Sequence, residues 1–373
     1  MAKAFGIIAS TPRRINIRGL QDYRPAAAFS FCGRYRVIDF PISNLSNSGI
    51  DNIQVYLHDN PRSLTEHLGT GRHYNINSKR GKVQLLYGKQ GFINDIYDTD
   101  VSEYLTNIDY IRRMIQDYVV IMPSYMVFKQ DFETLLDLHI ESGVDITMLY
   151  HKVDNARDHF LNCRYLTMDK ERNVLSVEEN HGNSKEKNIY MDTCIMKKSL
   201  FMDLVKKTVE YSSAYSLTQM IDVKCKEGKL KIKGFAHKGY FAAIDELTSY
   251  YDANMSLLEN DETKDIFRHD WTIYTRTTDS CPSKITETAK VKGSLISNGC
   301  TIEGTVENCV IGRGVHIAKG AVVKNSILLA YAKVGENVTL DCQIVDKWAN
   351  ISKTKELISK PYEPGYIKRR DNL

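Results

Sequence analysis

Apolar and polar positions follow two different rhythms along the chain, and the change falls after roughly residue 285. Before it, short continuous apolar runs alternate with longer stretches of 3–4 spacing. AFGIIA at 4–9 has the length and continuity of a strand buried on both faces of a parallel sheet, and 53–58 repeats the pattern. Ser63 with Glu66 has the form of a capping box, opening a short helix that stops near Gly69. Residues 70–100 are polar and glycine-containing, which predicts loops over an active-site face. Ile108, Ile111, Ile115 and Tyr118 keep the spacing of one helix face ahead of a strand at 119–122. Asp131 caps a helix ended by Gly143, and 145–151 is strand-like. Helices follow at 200–209, at 217–226 with Gly228 as its stop, and at 247–258. Strands alternating with helices predict an α/β, Rossmann-like doubly wound domain over 1–259.

Residues 260–284 have no clear period and form a connecting arm. From 285 to 373, Ile296, Ile302, Ile311, Ile317, Val323 and Leu329 are spaced by six or nine, with Gly293, Gly299, Gly312, Gly314, Gly320 and Gly335 at the turns. This is the rhythm of hexapeptide repeats, whose coils stack into a parallel β-helix and bury their apolar positions against one another. Short irregular strands in a sandwich are the alternative.

The composition narrows the function. With 373 residues the chain exceeds one ordinary core. A net charge of +4, with Lys and Arg spread along the chain, argues against nucleic acid as a partner. No apolar run is long enough for a membrane span or a secretory leader, which predicts a cytoplasmic protein. Eight scattered cysteines without a C-x-x-C pair predict reduced thiols and no zinc.

The most specific stretch is RYRVIDFPISNLSNSGI at 34–50. Its composition fits a strand running into a short helix capped by Ser43 and closed near Gly49. Arg36, Asp39, Phe40, Ser43, Asn44, Asn47, Ser48, Gly49 and Ile50 match the YR-x-IDF-x-LSN-x-x-NSGI segment of bacterial glucose-1-phosphate adenylyltransferases, and the likeness recurs along the whole chain, including DANMSLL at 252–258 and the C-terminal repeat. The chain resembles that family. The resemblance implies a nucleotidyltransferase domain, a left-handed β-helix, and chemistry on ATP and glucose 1-phosphate.

Such chemistry needs backbone N–H groups around the phosphates, carboxylates on Mg²⁺ and a cation for the sugar phosphate. The family's Gly-rich phosphate turn is Ser10-Thr11-Pro12-Arg13-Arg14-Ile15 here, without glycine and with a proline that has no N–H to give. Arg13, Arg14 and Arg18 remain, either to attract an anion or as a solvated basic loop. The lysine of the family's A-K-P is Arg24. Its G-T-A-D-A loop falls on 99–103, which includes Ser102. Its two metal aspartates fall on Tyr125 and Ala243, and its phosphate-facing lysine on Glu179. A phenol is a poor Mg²⁺ ligand, alanine is none, and Glu179 reverses the charge where a dianion should sit.

These losses fall on the charged centre and spare the apolar frame. The resemblance is therefore to the non-catalytic second subunit of the Gram-positive enzyme, implying a regulatory role in glycogen biosynthesis. The implied partner is the catalytic subunit, in a heterotetramer, with Mg²⁺ bound there and no cofactor on this chain. A homo-oligomer is the other assembly compatible with it. Arg34, Arg36, His67, Lys360, Lys368, Arg369 and Arg370 are candidates for an anionic effector, with Arg36 alone on a family effector-linked arginine. Two other functions stay open. One is an active enzyme with displaced metal ligands among Asp95, Asp98, Asp100 and Asp245. The other is a hexapeptide acyltransferase using His316.

Overall fold

The computed structural model of the protein describes residues 3–12, 14–17, 19–58, 60–88, 100–210 and 216–373. Arg13, Arg18, Asp95 and Asp98 lie outside the described residues. The chain forms two compact units. The first comprises Met1–Ile15, Phe40–Phe241 and Thr272–Tyr274, and the second Asn16–Asp39, Ala242–Trp271 and Thr275–Leu373.

The first unit is built on a mixed nine-stranded sheet. Ala4–Ile8 runs parallel to Asn52–Leu57 on one side and to Tyr118–Met122 on the other, and Lys82–Tyr87 extends the parallel half. Lys187–Lys197 then pairs antiparallel with Tyr118–Met122, Ile146–Val153 and Arg164–Met168. Ala4, Phe5, Ile7 and Ile8 are buried, as expected of a central parallel strand. The core joins Phe5, Ile7 and Ile121 to Met148, Phe201, Leu204 and Ile221.

The hydrophobic rhythm locates most helices. Asp131 accepts from the Glu133 and Thr134 N–H groups at 2.9 and 3.5 Å and opens Phe132–Ser142, and Gly143 closes it at φ 62°. Ser216 and Gln219 form a reciprocal capping box on Leu217–Lys226. Not every expectation holds. Ser63 is no cap, because Arg62–Leu68 already begins after Pro61. The stretch 70–100 is not all loop, since it contains the strand Lys82–Tyr87. The helix Ile108–Arg112 ends before Ile115, which is 74% exposed. In the arm, Asn260–Ile266 is helical.

Ser43 is no cap either. The helix runs Asp39–Asn47, with Asp39 in its first turn and Ser43 in its interior. There the polar residues of the motif act as stitches within the first unit. Asn44 donates to the Phe128 carbonyl at 2.9 Å and accepts from the Gln130 N–H at 3.3 Å. Ser48 accepts from the Phe132 N–H at 2.9 Å, and Ser43 from the Tyr274 N–H at 2.8 Å. Asn44 and Ser43 are fully buried, so each unmet donor or acceptor would cost about 1–3 kcal/mol.

The second unit contains three five-stranded parallel sheets wound as a left-handed β-helix of hexapeptide repeats. Ile285 pairs with Ile302, then Ile317, Val334 and Ile351, so successive coils advance by 15 or 17 residues. Ile302, Ile311, Ile317 and Val323 stack in its core. The corners use left-handed backbone: Asn308, Asn325 and Cys342 on one, and Tyr331, Trp348 and Arg370 on another. Residues 16–39 belong to this unit as well. Tyr250 donates to the Ser30 carbonyl at 2.6 Å, and Asn254 accepts from the Cys32 N–H at 2.9 Å.

Candidate functional site: a knotted cavity in the first unit and a cationic cluster in the second

The ends of the central strands open into a cavity of about 410 Å³. Ser10, Thr11 and Pro12 line it from the first strand's exit, Pro123 and Tyr125 from the next parallel strand, and Asp192 from Lys187–Lys197. This is the crevice at the carboxyl ends of parallel strands where open α/β sheets bind ligands.

The described residues of the segment from Ser10 to Ile15 make no phosphate cradle. Pro12 offers no N–H, and the Ile15 N–H is spent on the Pro12 carbonyl at 2.9 Å. Arg14 turns inward instead. Its Nη2 donates to Asp192 Oδ2 at 2.7 Å and to Tyr125 Oη at 3.2 Å, and its Nε to the Asn162 carbonyl at 2.7 Å. Tyr125 Oη donates to the same Asp192 oxygen at 2.6 Å. Asp192 reaches this point from a bulge in its strand, with φ at 43°. Such a conformation costs a non-glycine residue about 1–3 kcal/mol and persists only where surroundings enforce it.

Tyr125 therefore stands where a metal carboxylate is expected, and it is engaged as a donor. Burial, then the neighbouring Asp192 charge, holds its phenol well above the ordinary range, so it stays protonated. Burial opposes the charge on Arg14, but Asp192 and Tyr125 outweigh it and raise the guanidinium's affinity for its proton. Asp192, with one oxygen committed twice, is the nearest carboxylate to Tyr125 in this network. These residues do not fit Mg²⁺. Among the described residues no group of three or more His, Cys, Asp or Glu side chains is placed to hold a metal ion.

Elsewhere on the wall, Glu103 is buried, accepts from Ser10 Oγ at 2.7 Å and pairs with His58 Nδ1 at 3.2 Å. Burial raises Asp100 to about 6, against the pull of Arg164 and the Leu217 and Val101 N–H groups. Glu179 ends the strand Val174–Glu179, exposed, opposite Arg164. Ser102 lies on the helix Asp100–Thr106 and is absent from the cavity wall. Ala243 and Asp245 belong to the second unit; both are buried, and the Asp245 N–H donates to Ser249 Oγ at 3.0 Å.

The second unit gathers positive charge around Asp346, and buried Asp39 accepts from the Arg36 N–H at 2.8 Å. Arg24 is 3% exposed and forms a buried ion pair with Asp346, which is 0% exposed. Asp346 also accepts from Tyr366 Oη at 2.8 Å and from the Lys347 N–H at 2.6 Å. The Lys347 amine is pushed down to about 7 by burial and by Arg36, Arg24 and Arg369, with Asp346 opposing. Buried Arg24 Nη1 and Arg369 Nε have no hydrogen-bond partner among the described residues. Arg369 lies over Trp348 and Tyr23, at 4.9 and 5.5 Å from the ring centres, and Arg370 lies 5.5 Å from Trp348. Arg36 and Arg369 are thus brought together.

The other anticipated cations are not part of that cluster. His67, in the first unit, is buried with its ring 6.0 Å from His73. Lys360 lies over Tyr362, and Lys368 is exposed. Arg34 lines a different cavity of about 460 Å³ with Arg313. His316 sits on the strand His316–Ile317, at a repeat position paired with Thr301 and Lys333. Sequence reasoning missed Asp192, Asp346 and Lys347. Asp192 gave no signal, since its role depends on a bulge. The DK pair at 346–347 could have been noticed as a charged pair inside the apolar repeat.

The two architectures define a nucleotidyltransferase-type domain with a hexapeptide extension. Residues 17–260 match the family of nucleotidyl transferases, and 281–359 match the GlmU-like C-terminal hexapeptide family. Glucose-1-phosphate adenylyltransferases of Bacillus thuringiensis (strain Al Hakam), Bacillus anthracis and Bacillus mycoides are each 30% identical over 329 residues, covering 86% of this chain and 85% of theirs. The chain belongs to the glucose-1-phosphate adenylyltransferase family. Among the described residues no helix is long and apolar enough to cross a membrane.

Proposed function

We propose that this chain is a regulatory, non-catalytic subunit of glucose-1-phosphate adenylyltransferase, acting in the cytoplasm on a catalytic partner chain in glycogen biosynthesis. The observation that carries the proposal is the Arg14–Asp192–Tyr125 knot. It puts a protonated phenol at the position that the resemblance aligns with a metal carboxylate, and it commits the neighbouring arginine to a carboxylate of the same chain. Metal stabilisation is worth several kcal/mol of barrier, and each ~1.4 kcal/mol is tenfold in rate. Glu179 adds repulsion where the sugar phosphate's charge would fall. The frame is meanwhile maintained: Asn44 and Ser48 still stitch the first unit, and the β-helix core is complete from coil to coil.

Regulation by such a chain means biasing the conformational equilibrium of its partner across a shared interface, in a heterotetramer. The cluster of Arg36, Lys347 and Arg369 is the proposed place for an anionic effector. Two buried guanidinium nitrogens there lack partners among the described residues, and Asp346 is already paired with Arg24.

The test is ADP-glucose formation from ATP and glucose 1-phosphate with Mg²⁺, by this chain alone, by a catalytic subunit of the same organism alone, and by the mixture. The expected result is silence alone and a raised rate or altered substrate affinity in the mixture. Robust turnover by this chain alone would overturn the proposal.

A further inference from the structure

Lys347 stands in the chain between the partners of two arginines that are short of acceptors. It follows Asp346, whose carboxylate pairs with Arg24, and precedes Trp348, whose ring carries Arg369 at 4.9 Å. Arg24 Nη1 and Arg369 Nε are buried and, among the described residues, have no hydrogen-bond partner. A buried donor left unmet is costly, so the cluster lacks acceptor oxygens.

It lacks negative charge as well. Arg24, Arg36 and Arg369 all act on Lys347, while Asp346 and Asp39 are the carboxylates set against them. Three guanidiniums against two carboxylates leave one positive charge in excess before Lys347 is counted. The Lys347 backbone N–H donates to Asp346, but among the described residues its amine has no hydrogen bond or ion pair. Burial and the three guanidiniums push that amine down to about 7, so much of it is neutral at physiological pH. A neutral lysine amine is a nucleophile, and desolvation beside other cations is one way a lysine reaches that state. Lys347 is only partly buried, so a small molecule can reach it.

An acceptor built onto Lys347 would answer both shortages, and dissolved carbon dioxide can build one. The amine lone pair attacks the carbon and an N–C bond forms. One C=O electron pair moves onto oxygen, and the nitrogen gives a proton to water. Nothing is oxidised or reduced. The resulting carbamate carries one negative charge and two acceptor oxygens, the planar form of anion that guanidiniums bind best. We propose that Lys347 is a carbon dioxide acceptor, carrying a carbamate held by Arg24, Arg36 and Arg369. The proposal does not depend on the regulatory reading, because every group it uses lies in the second unit.

The test is to incubate the full chain with ¹³C-bicarbonate near pH 8 without phosphate, trap carbamates as ethyl esters with a trialkyloxonium salt, and map the label by peptide mass. A peptide with a free α-amine, treated in parallel, shows that trapping works. The expected result is label on Lys347 at least roughly tenfold above that on exposed lysines of the same repeat, such as Lys319 and Lys333. Arg369→Gln should lower it several-fold, added inorganic phosphate should compete with it, and a ¹³C carbamate resonance in the unaltered chain should vanish in Lys347→Arg. No label on Lys347 while the control peptide is labelled would overturn the proposal, as would equal labelling of Lys347 and the exposed lysines. A chain that is labelled at Lys347 and also makes ADP-glucose would refute the regulatory reading and leave this one standing.

Discussion

Tyr125 Oη lies 2.6 Å from Asp192 Oδ2, and Arg14 Nη2 donates to the same oxygen from 2.7 Å. One carboxylate oxygen thus serves both a phenol and a guanidinium. Along the chain, Arg14 is 111 residues from Tyr125, and Tyr125 is 67 residues from Asp192. Only the folded first unit makes this arrangement, so its loss should register as stability.

Arg14→Ala should lower unfolding free energy by about 2–3 kcal/mol, because Asp192 is 13% exposed and keeps only the phenol. Denaturant melts measure this. Tyr125→Phe should cost about 1 kcal/mol. The double variant should lose less than the sum of the two, since both act on one oxygen.

Restoring the carboxylate alone should not restore chemistry. Tyr125→Asp places a second carboxylate beside Asp192, so the variant should melt lower without divalent cations and recover part of the loss with Mg²⁺. ADP-glucose formation should stay at background, because Glu179 and Ala243 are unchanged. Measurable turnover by the single variant would contradict the account of the site given above.

Asp346→Ala should be among the most damaging single changes in the second unit. It strands Arg24 at 3% exposure and removes the acceptor of Tyr366. Breaking a buried pair from one side costs about 3–5 kcal/mol. Thermal melting of the variant should fall by several degrees, and Asp346→Asn should fall less.

The cationic cluster has a definite pH dependence. Lys347 titrates near 7 in the folded chain and near 10.5 when free, so between those values the unfolded state holds more protons. Its contribution to stability therefore rises with pH through that window, and its full penalty is present below 7. Anion binding runs the other way. Affinity of inorganic phosphate for the cluster should fall as pH rises through 7, beyond the change due to phosphate itself, and Lys347→Gln should flatten that component.

The fold was legible where one rhythm decides one element. The buried run 4–8, the capped helix at 132–142 and the repeat at 302–323 each carry an unbroken apolar pattern. The strands Arg164–Met168 and Val174–Glu179 did not show, because their faces are half exposed and their apolar positions are interrupted by Arg and Thr in the first and by Ser and Glu in the second. Ser43 and Ser63 looked like caps because a serine ahead of an apolar spacing has that form, but helices beginning at Asp39 and Arg62 placed both inside. The altered positions Tyr125 and Glu179 were visible as departures from a family pattern. The knot was not, because it needs three segments brought together and a strand bulge that no local pattern announces.

The Arg24–Asp346 pair closes a loop of 322 residues. Residues 16–39 are synthesised well before residue 242, yet they pack in a unit otherwise made from residue 242 onward. At about 5–20 residues per second, Arg24 waits roughly 16–64 s for its carboxylate to be synthesised. During that interval a segment carrying Phe29, Phe31 and Val37, all buried in the finished protein, has no home. Translation speed and chaperone capture should therefore set the yield of this chain more strongly than the stability of the finished fold does.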